Sequence, residues 1–139
     1  MTMQELNAHF RLLQELQEMQ ELHSYLLGKA EPGAQRLTGM PHISGVSDPT
    51  GDLGTEIAGV SSAIDEKKAE IKRSEPRIKA FVDSIADYKT RRIFRLRFLS
   101  GLLWKQVADL TGKGRSISYV AGICYDYLNN LQNAESEDN

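Results

Sequence analysis

Apolar residues along the chain follow two helical spacings, separated by a stretch that follows neither. Between Gln4 and Leu27, Leu12, Leu16, Met19 and Leu26 recur at three, four and seven residues, and Leu6, Leu13 and Leu27 form a flanking row among glutamines and glutamates. This pattern predicts an amphipathic helix, with Gly28 as its C-cap because glycine enters the left-handed conformation at no steric cost. Residues 29–52 contain three of the four prolines and show neither a helical period nor strand alternation, so they read as a loop. From Leu53 the seam is stricter: Leu53, Ile57, Val60, Ile64, Lys67, Ile71, Ser74, Ile78, Phe81, Ile85 and Tyr88 alternate steps of four and three. A heptad helix over 53–86 follows, roughly 50 Å long if continuous. Pro76 interrupts it, which predicts a kink or a restart with Ser74 as N-cap; the apolar register continues past Pro76 and favours the kink.

Neither helix can bury its stripe alone. The first can fold back on the second as an antiparallel hairpin, and the same seam can pair with a second copy, so a homodimer through helices 4–27 and 53–86 is expected. The polar seam positions Lys67 and Ser74 argue against a long uninterrupted coiled coil and can fix register instead.

The segment 87–131 has a different rhythm. Asp87 is placed to cap a short basic helix carrying Arg91, Arg92, Ile93, Leu96, Arg97 and Phe98, which Ser100-Gly101 ends. A compact helix starting at Leu102 or Leu103 follows, with Trp104, Val107, Ala108 and Thr111 on one face. Gly112 is read as the left-handed residue of a tight turn. Ser116 then caps a final helix whose buried stripe is Val120, Cys124, Tyr127, Leu128 and Leu131, and 132–139 reads as a disordered acidic tail. The expected organisation is therefore all-α, with an N-terminal helix (1–28), a loop (29–52), a heptad helix (53–86), a helix-turn-helix unit (87–131) and the tail.

Charge separates these parts. The net charge is −2, but residues 1–64 carry 3 basic and 8 acidic groups (−5), whereas residues 89–128 carry 8 basic and 2 acidic groups (+6). A basic segment in an acidic chain points to a nucleic-acid face on one part of the molecule. No apolar run approaches the roughly 20 residues needed to span a bilayer, and the start MTMQELNAHF is unlike a signal peptide, so no membrane partner and a cytoplasmic location are expected. The single cysteine, Cys124, lies within an apolar pattern and reads as a buried small hydrophobe.

Candidate chemistry is sparse. His9 and His23 share a stripe but stand roughly 21 Å apart along a helix, too far for one metal ion, and they read as seam residues. His42, Ser44 and Asp48 have the residue types of a hydrolase triad but sit in one loop with no scaffold to fix them. Asp48 and Asp52 fit turn and N-cap roles better than a cation loop. No enzymatic activity, metal or cofactor is expected.

The run RRIFRLRFLSGLLWKQVADLTG resembles region 4 of bacterial sigma factors, whose pattern runs Arg, two apolar residues, Leu-Arg-Tyr, Gly, Trp or Ser, then Ile-Ala and Leu-Gly. The whole layout resembles small phage and prophage transcriptional regulators of sigma-region-4 type. In these, an N-terminal helix, a Gly-Met-Pro loop (here Thr38-Gly39-Met40-Pro41, with Gly45-Val46-Ser47-Asp48 after it), a charged heptad helix and a helix-turn-helix follow in this order. The resemblance implies DNA as partner, contact with RNA polymerase, and the cytoplasm of a bacterial host. Two departures from the pattern bear on the site. The turn carries two extra residues around Lys113-Gly114-Arg115, and the start of the recognition helix is Ile117, Ser118, Tyr119, Ala121 and Gly122, where family members carry Arg, Lys, Gln or Glu.

Base edges are read by bidentate Arg, Asn or Gln, so Ser118 and Tyr119 offer single hydrogen bonds at most. The expected DNA contacts are Arg91, Arg92 and Arg95 on the preceding helix, Lys105, Lys113, Arg115 and Ser116 around the turn, and Ser118 and Tyr119 beyond it. Arg97 reads alternatively as a structural arginine that pairs with an acid or caps a carbonyl, and Trp104, Tyr125 and Tyr127 as packing residues. Three readings follow: a dimeric DNA-binding regulator, a protein-interaction adaptor using the neutral recognition helix, and a small terminase-type DNA-packaging subunit.

Overall fold

A computed structural model describes residues 1–30, 49–112 and 116–137. The loop signature at 38–41, the residues His42, Ser44 and Asp48, and the basic turn residues Lys113 and Arg115 lie outside them. The fold is all-α, with no strand among the described residues. Helix α1 spans Met3–Ala30, α2 Pro49–Asp83, α3 Tyr88–Phe94, a π-helical turn Arg95–Leu99, α4 Trp104–Thr111 and α5 Ile117–Glu137. None of these helices is long and apolar enough to cross a membrane. The chain forms two compact units, Met1–Gln14 with Glu70–Asn139, and Glu15–Ala69.

Several boundaries differ from those read in the sequence, each for a local reason. Helix α1 continues through Gly28 to Ala30, so Gly28 does not cap it. Its start is fixed by a reciprocal box: Thr2 N–H donates to Glu5 Oε2 (3.0 Å) and Glu5 N–H to Thr2 Oγ1 (3.2 Å). Helix α2 begins at Pro49, whose missing N–H costs nothing in a first turn. It runs without interruption through Pro76. Ser74 is no cap there; its hydroxyl donates to the Ile71 carbonyl (3.3 Å) within the helix. At the far end α2 stops at Asp83, before Ala86, and α5 stays helical to Glu137 because nothing from Gln132 onward breaks it. Gly112 has φ 174°, an extended backbone open to any residue, and the left-handed glycine is Gly101, at φ +74°.

In the first unit the core is a cluster of rings. Phe94, fully buried, meets Phe81 of α2 (5.6 Å between centroids), Tyr127 of α5 (5.7 Å) and Phe98 of the π turn (5.8 Å). Such contacts contribute roughly 0.5–1.5 kcal/mol each beyond area burial. Leu6, Ile78, Val82, Ile85, Ile93, Val107, Ala108, Val120, Cys124 and Leu128 are buried in the same cluster. Burial pushes the Cys124 thiol up to about 12, with Arg97 pulling weakly the other way, so the sulfur stays a neutral thiol. Tyr127 packs as expected, whereas Tyr125 lies on the exposed side of α5.

The π turn is the pivot of this unit. Its widened loop, closed by Ser100 N–H to the Arg95 carbonyl (3.0 Å) and Leu102 N–H to the Leu96 carbonyl (3.1 Å), turns four successive residues, Leu96 to Leu99, at least partly inward. Arg97 goes in with them. Its guanidinium lies over the Phe10 ring (3.5 Å to the centroid) and the Trp104 ring (4.5 Å), and Nη1 donates to the Leu102 carbonyl (3.1 Å). This is a structural arginine, capping a carbonyl rather than pairing with an acid. Beside it Gln14 Nε2 donates to the Gly101 carbonyl (2.7 Å), and a Cβ on Gly101 would meet Leu13 Cβ at 3.3 Å. Gly101 is thus required both by its φ and by the close approach of α1.

Within the same unit α1 and α2 meet in antiparallel order, since Glu5 pairs with Arg77 (3.0 Å) and His9 with Ser74 (2.6 Å). His9 is only 2% exposed. With the Ser74 hydroxyl proton given to Ile71, His9 donates from Nδ1, and Nε2 is left buried without a partner. Burial lowers the His9 pKa, against a smaller upward pull from Glu75. In the second unit Lys67 Nζ reaches Glu15 Oε2 at 2.6 Å, while only Leu26 and Ile64 are buried among its described residues. Leu22, Tyr25 and Leu27 remain exposed.

Two outcomes follow from these contacts. Because His9 binds its proton less well folded than unfolded, stability is full above the ordinary histidine range and falls as pH drops through about 6.5, by at most about 1.4 kcal/mol per pH unit for one proton. Urea midpoints at pH 7.5 and 5.5 should separate more for the native chain than for His9→Asn; an equal drop in both would show that His9 is not the sensor. Arg97→Lys keeps the charge but has no plane to stack on two rings, and should cost about 2 kcal/mol or more. An unchanged urea midpoint would refute the clamp.

Candidate nucleic-acid interface

One face of α3 and the π turn carries Tyr88, Arg91, Arg92, Arg95 and Leu96, which line a cleft of about 420 Å³. Residues three and four apart share a helical face, so the chain order itself stacks these side chains one turn above another. Asp87 starts the helix in register: its carboxylate accepts from the Thr90 N–H (3.0 Å) and hydroxyl (2.7 Å), and these bonds hold the carboxyl below its usual range.

Each arginine of the cleft is tethered by one hydrogen bond. Arg91 Nη1 donates to the Ile85 carbonyl (2.9 Å), Arg92 Nη2 to the Leu110 carbonyl (3.3 Å), and Arg95 Nη2 to Asp83 Oδ1 (2.7 Å). A guanidinium has five N–H donors, so a single tether fixes its direction and leaves others to present. The Arg95–Asp83 pair has both partners about half exposed and is a surface pair of modest strength, roughly 0–1 kcal/mol. Three like charges on one face repel each other, and the two carbonyls and Asp83 offset part of that repulsion.

Of the remaining candidate contacts, Lys105 is exposed on α4 but does not line the cleft. The Ser116 hydroxyl accepts from the Tyr119 N–H (3.1 Å), which is the N-cap role expected of it. Ser118 is exposed. Tyr119 is engaged with α3: Lys89 Nζ donates to its hydroxyl (2.8 Å) and lies 4.9 Å from its ring centroid. Ile117, Ser118 and Tyr119 form the exposed first turn of α5, whereas Ala121 and Gly122, expected at that surface, are half-buried. Among the described candidate residues, Arg91, Arg92 and Arg95 are the ones brought together in one cleft.

Sequence reasoning missed Tyr88 and Lys89. Tyr88 continued the heptad count and was assigned to the seam, but α2 ends at Asp83 and the intervening turn resets the register, leaving Tyr88 68% exposed at the cleft. The signal was present in Asp87, whose capping role already implied a new helix. Lys89 gave no signal, because its partner Tyr119 is distant in sequence. Among the described residues no group of three His, Cys, Asp or Glu is placed to hold a metal ion. Compared with protein-family models, with curated proteins and with solved structures, the chain matches none.

Proposed function

We propose that this chain is a DNA-binding transcriptional regulator of phage type, in which the segment 87–131 acts as a helix-turn-helix of sigma-region-4 kind and the helical arm dimerises. The observation that carries this reading is the convergence of Arg91, Arg92 and Arg95 on one cleft, each guanidinium tethered by one hydrogen bond with donors to spare. Phosphate contacts supply most of the affinity for a duplex and carry no sequence information. A neutral first turn on α5 fits a protein that grips the backbone there and leaves promoter choice to a partner such as RNA polymerase. For the arm, the support is the thin core of the second unit, with Leu26 and Ile64 alone buried among its described residues and Leu22, Tyr25 and Leu27 exposed. A second copy covers such a stripe economically.

A second reading is favoured by the exposure of Ile117 (48%) and Tyr119 (37%) in the first turn of α5. There the first turn of α5 docks a protein and the chain acts as an adaptor. Loss of a stoichiometric protein partner on Tyr119→Asp, with DNA binding unchanged, would select it.

Duplex binding tests the leading reading. Replacing Arg91, Arg92 and Arg95 by alanine should weaken binding at low salt and lower the slope of log affinity against log salt by about 2.7, at roughly 0.9 per phosphate. Circular dichroism should show the variant still helical. No binding by the native chain at low salt, or an unchanged slope in the variant, would overturn it. Light scattering should give about 31 kDa, twice the chain's 15.6 kDa; a monomer would remove the dimeric arm, and a larger ring would point to a packaging subunit.

A further inference from the structure

The cleft has two members that phosphate binding does not use, Tyr88 and Leu96. Tyr88 is 68% exposed although it is an aromatic residue in the first turn of a helix that buries Ile93 and Phe94. The Arg91 guanidinium lies over its ring at 5.7 Å from the centroid, so the ring is braced by a cation while most of the side chain faces solvent. Leu96 adds an apolar wall to the same cleft. An exposed aromatic face among three arginines, beside an apolar wall, is poorly matched to the outside of a duplex, which presents phosphates but keeps its base faces hidden in the stack.

We propose, building on the nucleic-acid reading of this cleft, that it holds one unpaired nucleotide: the base stacks on Tyr88 and Leu96 while Arg91, Arg92 and Arg95 take the adjoining phosphates. The volume, about 420 Å³, lies within the usual range of small-ligand sites, roughly 300–1,000 Å³. Stacking on an aromatic residue is tolerant of sequence because every base has a π face; with the three arginines on phosphates, no other described residue lining the cleft carries a bidentate group for a base edge. The site therefore distinguishes unpaired from paired nucleic acid and does not select among bases. Arg91 serves twice, as a phosphate donor and as the brace that keeps the Tyr88 ring in place.

Three probes of one length, about 12 nucleotides, separate base from backbone: a thymidine single strand, the same strand with abasic sites, and a blunt duplex. The single strand should bind the native protein more tightly than its abasic counterpart. Tyr88→Ala should weaken single-strand binding by roughly 5- to 150-fold and leave duplex binding unchanged, while Tyr88→Phe retains the native affinity. Tyr88 is exposed, so both variants should melt like the native chain. Equal affinity for the base-containing and abasic strands, or single-strand binding indifferent to Tyr88→Ala, would overturn the stacking site even if the duplex still binds through the arginines. Failure of all three probes to bind at low salt would overturn this proposal together with the nucleic-acid reading beneath it.

Discussion

The guanidinium of Arg97, held between the rings of Phe10 and Trp104, is the contact on which the first unit depends. A charge taken this far out of water costs several kcal/mol unless it is compensated, and burial pulls the Arg97 pKa down. An arginine nevertheless remains charged, because its ordinary pKa lies so high. Compensation comes from two π faces and the Leu102 carbonyl, while Nε finds no acceptor. The arrangement joins three separate pieces of chain: Phe10 of α1, the π turn that bears Arg97, and Trp104 at the start of α4. A lysine could not do this, since only a planar cation stacks on two rings at once.

The geometry of the cleft follows from that clamp. Turning Arg97 and Phe98 inward requires the widened π turn, and the same turn leaves Arg95 on the outside, one helical step beyond Arg91 and Arg92. Gly101 then reverses the chain in the left-handed conformation, close against Leu13, so that α4 can bring the Leu110 carbonyl to Arg92. The arginine face and the core are thus two sides of one short element.

Much of this could be read in the sequence, and the exceptions share a cause. Ile64, Ile71, Ile78 and Ile85, spaced by seven, are all buried, and the polar seam positions Lys67 and Ser74 do find partners on α1, Glu15 and His9. Periodicity is a local property and survives into the fold. Capping is also local, which is why Asp87 and Ser116 were legible. The departures arise at helix ends, where a count of apolar positions does not say which residue stops the helix. Gly28 does not end α1, and Tyr88 leaves the seam because a four-residue turn separates two helices that a heptad count merges. Of the candidate contacts, the three arginines were legible as a basic run, but their tethers on Ile85, Leu110 and Asp83 were not.

The first turn of α5 shows why the proposed binding face lies on α3. In a DNA reader of the usual kind, the start of the second helix carries long polar side chains free to reach base edges. Here Ser116 spends its hydroxyl on the helix cap, and Tyr119 is drawn towards Lys89 by both a hydrogen bond and the charge over its ring. Ile117 has no polar atom in its side chain. Reaching a base from this turn would require breaking the Lys89 contact and would expose no bidentate group in return. The arginines of α3 need no such rearrangement, because their tethers leave donors already directed outward. Preorganisation of this kind lowers the ordering entropy paid on binding, so even without a partner protein the α3 face is the better place for an anionic ligand.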